Sequence, residues 1–287
     1  MSELAAVDEI IKNKPPLRLF KYREVNATTE QLLLKNEIYC STPYQFNDPF
    51  ECRPLVHLDV HSTETKEWLN RNMAERRITN PSKKLAIRRR MKHSYVNPRP
   101  IEELGFDKVL RQIGIYSMTA DPASLLMWSH YADAHKGICV EFSTGLWPFN
   151  LAWKVIYSNE YPVVDRVKDK AFDSMNKSLL TKAPSWEYEQ EWRLIMRTPE
   201  RSEIDKFGTR TDDLARWTKD QHGPGIYQIP KESITGVILG MRISDTDRDR
   251  VTKWIREGSL NLELRRANRN KSQFRVDIES TSPNAYR

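Results

Sequence analysis

The chain has 287 residues, enough for about two average domains or one large one. Apolar residues make up 39% and charged residues 30%, which supplies a core and excludes a wholly disordered chain. The net charge is +7, no apolar run approaches the roughly 18 residues of a membrane helix, and the start, MSELAAVDEIIKNK, is acidic where a leader would be basic. A cytoplasmic protein without a membrane partner is therefore expected. The three cysteines, Cys40, Cys52 and Cys139, are odd in number and form no CxxC, so buried thiols are expected rather than disulfides or a zinc ribbon.

Residues 4–13 read as a short helix ended by Pro15-Pro16. Leu17–Tyr22 reads as a strand, followed by cap chemistry at Asn26 and Thr28. A helix over Thr29–Lys35 and a strand over Glu37–Cys40 come next. Ser41–Arg53 is rich in turn residues and reads as a loop. Helices are predicted over 62–77, 82–93 and 101–111. Gly114–Met118 reads as a strand, Ala123–Ala134 as a helix, and Gly137–Phe142 and Trp153–Tyr157 as strands. Residues 166–181 read as a helix and Trp186–Met196 contains a strand. Ile234–Leu239 is a buried-strand run, Asp245–Arg256 a helix and 273–278 a last strand. No internal repeat and no regular βαβ spacing is present. The pattern predicts an α+β fold with a central mixed or largely antiparallel sheet and flanking helices. Its expected parts are an N-terminal helix within residues 1–16, one domain over 17–280 with a basic helical insertion over 62–111, and a tail at 281–287.

The charge is concentrated. Between Arg71 and Pro100 stand ten Lys/Arg and one acid, Glu75, a local charge of +9 that exceeds the net charge of the chain. Such a stretch is either a solvated helical surface or a phosphate-binding patch, with Arg88, Arg89, Arg90 and Lys92 as its densest run. Tyr95 is its clearest aromatic, which is few for stacking single-stranded bases.

Four clusters could carry chemistry. In Leu19-Phe20-Lys21-Tyr22-Arg23, strand alternation sends Lys21 and Arg23 to one face and Tyr22 to the other; this suits an anionic ligand or an ordinary edge strand. Phe46-Asn47-Asp48-Pro49-Phe50-Glu51 is a rigid turn that could also present Asn47, Asp48 and Glu51 to a site. In Gly114–Phe142, a strand carries Tyr116 and Ser117. The following helix places Leu125, Trp128, Tyr131, Ala132 and His135 on one face, with Met127, His130 and Ala134 on another. That is a core helix with an aromatic seam, and also a possible pocket lined by Tyr116, His130, Tyr131 and His135. The spacing of His130, Asp133 and His135 matches no strong zinc motif, so no metal is expected. In Trp186–Leu194, read as a strand, Glu187, Glu189, Glu191 and Arg193 share one face. Three crowded carboxylates are costly unless offset by cations, and they favour a site where the charge is used.

Five segments in order, L-F-K-Y-R, F-N-D-P-F-E, M-W-S-H-Y-A-D-A-H-K-G-I-C-V-E-F, W-E-Y-E-Q-E-W-R and I-T-G-V-I-L-G, resemble a bacterial family, domain of unknown function 2971, over roughly residues 17–240. At fold level Leu19-Phe20-Lys21-Tyr22, Gly114-Ile115-Tyr116-Ser117 and Glu189-Gln190-Glu191 also resemble the three strand-borne motifs of ADP-ribosyltransferases, with Lys21 where His or Arg is usual. That resemblance implies an ADP-ribosyltransferase-like fold and NAD as substrate, in a transferase or NAD glycohydrolase such as a bacterial toxin or antiphage effector. It implies that Glu191 stabilises an oxocarbenium-like ribose, Glu189 positions or activates the acceptor, and Tyr116 stacks on nicotinamide. Lys21, with Tyr22 and Arg23, would hold the adenosine ribose or pyrophosphate, and Ser117, Asn47, Asp48, His130, Tyr131, His135 and Arg193 would complete the pocket. The basic segment would recruit a nucleic-acid or other anionic acceptor. Two other readings stand beside it: a nucleic-acid-binding protein or nuclease working through residues 71–100, and a non-catalytic nucleotide sensor. The oligomeric state is left open.

Overall fold

The structure is a computed structural model that describes residues 14–90, 95–100, 110–169, 174, 177–196 and 223–280. In chain order the elements are β1 (Arg18–Arg23), α1 (Ala27–Lys35), β2 (Glu37–Cys40), β3 (Leu55–Leu58), α2 (Thr63–Glu75), α3 (Pro81–Arg90), β4 (Tyr95–Pro100), β5 (Gly114–Thr119), α4 (Leu125–Tyr131), β6 (Ile138–Ser143), β7 (Trp153–Lys154), β8 (Ile156–Tyr157), β9 (Val163–Asp165), β10 (Thr181–Lys182), β11 (Glu191–Met196), β12 (Gly225–Gln228), β13 (Ile234–Leu239), α5 (Asp245–Glu257), β14 (Glu263–Arg269) and β15 (Val276–Ser280). They fall into two compact units. The first takes residues up to 46, 111–155 and from 184 onward; the second takes 47–110 and 156–183. The fold is α+β with a large mixed sheet and several helices, as the sequence predicts.

The first unit is built on an eight-stranded sheet in the order β15-β14-β13-β6-β1-β5-β11-β7, with a short β12-β2 ribbon. Among the described residues of the large sheet only the β13–β14 pair is parallel. Alternation gives it two distinct faces. One carries Leu19, Tyr116, Met118, Val140, Phe142, Trp192, Leu194 and Val237, covered by Leu32 and Leu33 of α1 and by Val251 and Trp254 of α5. The other carries Phe20, Tyr22, Cys139 and Ile238 beneath Met127 and Trp128 of α4. Side-chain caps fix where these helices start: Asn26 accepts from the Thr29 N–H, Ser124 from Met127 and Ser244 from Asp247.

One seam of the sheet is open. β1 pairs with β6 at six positions and β5 with β11 at six, but β1 meets β5 in register only at Phe20 opposite Thr119. Beyond that point the two strands part near the middle of the sheet.

The second unit holds the three-stranded sheet β4-β3-β9, the two-stranded pair β10-β8, and α2 and α3. Ser62 caps α2, and the Asn80 side chain accepts from the N–H groups of Ser82 and Lys83 at the start of α3. A buried ion pair joins Lys182 to Glu51 at 3.3 Å.

Several elements differ from the sequence reading. The stretch 62–111 is not wholly helical, because Tyr95–Pro100 pairs with Leu55–Leu58 as a strand. The segment Trp153–Tyr157 divides into β7 and β8, which belong to different sheets. β12 and β14 are strands where none was predicted; Glu263–Arg269 (ELRRANR) has too many charges to read as one, and its parallel partner β13 supplies the apolar register. The helix read over 123–134 stops at Tyr131, since Asp133, Ala134 and His135 all have positive φ (45, 49 and 70°). Of the helix read over 166–181, Thr181 already lies in β10, and residues 170–173 and 175–176 lie outside the described residues. Residues 4–13, 91–94, 101–109 and 281–287 lie outside them as well. No helix among the described residues is long and apolar enough to cross a membrane.

Candidate functional site

The open seam gathers part of the predicted site residues. At its edge the Lys21 Nζ donates to the Ser117 carbonyl oxygen at 2.6 Å, taking a ladder position that the diverging strand leaves vacant. The same ammonium lies 5.1 Å from the centroid of the Tyr116 ring. Burial lowers its pKa to about 8 and Arg23 adds to the shift, while Glu191 and Glu189 oppose it. The amine is therefore within electrostatic reach of both carboxylates. Tyr116 itself is buried on the α1/α5 face, and burial pushes its phenol up to about 12.

The carboxylates come from a turn and a strand. Pro184–Glu189 winds as a 3-10 turn, Gln190 takes a positive φ of 43°, and the strand begins only at Glu191. The four-member charged face read over 187–193 is thus broken. Glu187 and Gln190 are exposed, while Glu189 and Glu191 are each 4% exposed. Glu191 receives two parallel hydrogen bonds from Arg193, Nε to Oε1 at 2.8 Å and Nη2 to Oε2 at 2.9 Å. Arg193 is fully buried, and that burial lowers its pKa to about 9; its guanidinium lies 5.5 Å from the Phe46 ring centroid. Ser117 stands opposite Arg193 on the same face. Glu189 accepts a 2.6 Å hydrogen bond from the Tyr131 hydroxyl, so α4 reaches the site through its last residue. Beside it an aromatic group forms from His130, Tyr131, Tyr188 and Trp186, with centroids 6.1 to 6.4 Å apart.

Residues 127–194 match a family described as a protein of unknown function (DUF2971). No curated protein and no solved structure matches the chain. The matched segment is shorter than the span of roughly 17–240 that the sequence motifs suggest. It contains Tyr131, Glu189, Glu191 and Arg193 and leaves out Lys21 and Tyr116.

Other predicted residues lie elsewhere. Tyr22 is a core residue: it packs edge-on against Trp128 at 5.1 Å and donates to the Asp121 carbonyl. Burial raises its phenol pKa far above the usual range. Arg23 is bonded to the Thr28 and Thr29 hydroxyls beside α1, and its charge also reaches Lys21 and Tyr116 at the seam. His135 stacks on Trp128 and shares a 3.2 Å hydrogen bond with Ser129; burial and Arg242 hold its pKa down. Its place follows from the left-handed turn, not from a helical face. Asn47 and Asp48 belong to the second unit, where the Asp48 carboxylate accepts from the Phe50 N–H and closes the turn. Arg88 and Arg89 are exposed on α3 of that unit. The Arg90 side chain and Lys92 lie outside the described residues. All three cysteines are buried. Among the described residues no group of three or more His, Cys, Asp or Glu could hold a metal ion.

The sequence reading missed Glu141, which is 1% exposed. It accepts from Thr235 at 2.7 Å and pairs with Arg265 and Arg18. Register sets Glu141, Phe20, Thr119 and Glu191 in one row across four strands of the same face. An acid inside the otherwise apolar run Ile138–Phe142 was the available signal.

Proposed function

We propose that this chain cleaves the bond between nicotinamide and ribose in NAD and passes the ADP-ribosyl group to an acceptor or to water. The observation that supports this best is that Glu189 and Glu191 lie within electrostatic reach of the buried Lys21 amine where β1 and β5 part. Breaking the C–N bond sends its electron pair out with nicotinamide and leaves an oxocarbenium-like centre on the ribose. A carboxylate already fixed by two hydrogen bonds stabilises that charge without reorganising during the reaction. Glu191 has this role. Glu189, held by Tyr131, takes the proton of the attacking hydroxyl or water as the new bond to the ribose carbon forms. Lys21 offers a cation to the pyrophosphate, and Tyr116, buried on the α1/α5 face, packs beside the amine without presenting its ring to a ligand.

The test is nicotinamide release by the purified protein. Glu191→Gln should lower the rate by about a hundredfold or more, as loss of a preorganised charged group does. That substitution also removes the carboxylate from buried Arg193, at a cost of about 3 kcal/mol. Thermal melting and a second variant, Glu189→Gln, keep loss of fold separate from loss of chemistry. An unchanged rate in folded Glu191→Gln protein would overturn the assignment. NAD bound but never consumed by the wild type would mark the non-catalytic nucleotide sensor instead.

A further inference from the structure

The basic segment of the second unit supports an inference independent of NAD. We propose that α3, together with the C-terminal end of α2, is a docking surface for the phosphate backbone of a nucleic-acid duplex. The start of α3 is firmly specified, by Pro81 at its first position and by the Asn80 carboxamide on two N–H groups. Its interior is not held in the usual way. Leu85, Ala86 and Ile87 are consecutive, and at about 100° per residue they spread around the helix rather than forming a stripe. Of its described side chains only Lys84 and Ile87 are even half-buried. The helix has no acid, five cations, and a like-charge pair at Lys84 and Arg88 four residues apart. A ten-residue helix with no buried stripe is marginal in water. An anionic partner removes the repulsion that opposes it.

A hydrogen bond joins the two basic helices. Arg88 donates to Asn70 of α2 at 3.2 Å, and exposed Arg76 and Arg77 follow the end of that helix. The chemistry selects the partner. Guanidinium groups pair with phosphate oxygens two bonds at a time. A membrane surface needs an apolar stripe to insert, and α3 has none. Stacking on single strands needs exposed aromatics, and the one aromatic on α2 and α3 is half-buried Trp68. A protein partner needs a desolvated anchor in a pocket. What remains is a regular lattice of phosphates read through charge alone, hence without base preference.

The experiment titrates the full chain into a labelled DNA duplex of about two helical turns, a single strand of equal length, and phosphatidylserine vesicles, at several salt concentrations between about 50 and 200 mM. The duplex is expected to bind with a steep salt dependence. The pair Arg88→Glu, Arg89→Glu should weaken binding by about tenfold or more and flatten the slope of log K against log salt by about 2. Because Arg88 also holds Asn70, the pair Lys83→Gln, Arg76→Gln serves as the second variant and should lose affinity in the same direction. Lys253→Glu, exposed on α5 of the first unit, is the reference and should leave binding unchanged. Absent duplex binding, binding indifferent to salt, an equal loss in Lys253→Glu, or tighter binding to the single strand or the vesicles would each overturn the proposal.

Discussion

At residue scale Lys21 is the most unusual group in the first unit. A lysine normally keeps its charge well past neutrality, but here burial lowers its pKa to about 8. The sign for ligand binding follows directly. Below that pH the amine is cationic and attracts a pyrophosphate; above it the charge is gone. NAD affinity measured by calorimetry should therefore fall as pH rises through about 8. Lys21→Arg should move the fall to higher pH, since a guanidinium holds its proton more tightly. Lys21→Met should give weak binding that is flat across the same range. A wild-type profile as flat as that of Lys21→Met would remove Lys21 from the binding role. Strand alternation alone placed Lys21 apart from Tyr22, and the two do occupy opposite sides, with Tyr22 in the core against Trp128. The contact between Lys21 and the Ser117 carbonyl was not legible, because it depends on two strands parting after a single matched pair.

At the scale of elements, close approach of backbones fixes where the strands start. A Cβ added to Gly137 would sit 2.1 Å from the Arg23 carbonyl oxygen, and one added to Gly240 would sit 2.2 Å from that of His135. Both glycines flank the left-handed turn Asp133–His135, whose Gly137 N–H closes back on the Ala132 carbonyl. Gly137→Ala must push the start of β6 away from the end of β1, which overpacking data price at about 1–3 kcal/mol. Gly145→Ala is the fitting control, since its Cβ would meet only the Ser143 Oγ, at 3.5 Å. Urea unfolding should show the first loss and almost none for the second; equal stability of the two variants would refute the argument. The same segment shows what a sequence reading sees and what it misses. The strand at Gly137–Phe142 was evident from its apolar run, and Trp128 and Tyr131 were evident as a helical seam. The turn between them was not, because three successive non-glycine residues with positive φ are imposed by packing and not by propensity. Gln190 is a second case. Its positive φ splits Glu189 from Glu191, so the acids were recognised as a cluster but placed on a strand that starts later.

At the scale of the whole molecule, apolar burial and charge are divided unequally. Among the described residues the two large apolar clusters lie entirely in the first unit. The second unit has 18 Lys/Arg against 13 Asp/Glu, so +5 of the net +7 belongs to it. It relies in part on the Lys182–Glu51 pair, whose side chains are 5% and 2% exposed. Composition made the charge excess visible, but the unit boundary was not, because the chain enters this unit twice and its sheet joins Leu55–Leu58 to Val163–Asp165 across a hundred residues. Unequal cores imply unequal opening. Backbone amides of β3 and β9 should exchange with solvent at least about tenfold faster than those of β6 and β13. Lys182→Met leaves a buried carboxylate without its lysine, a change of about 3 kcal/mol in comparable pairs. If the units open separately, that variant accelerates exchange in β3 and β9 and leaves β6 and β13 as they were. Acceleration of all four strands together would mean that the molecule opens as one cooperative body, and the weak core of the second unit would then be sustained by the first.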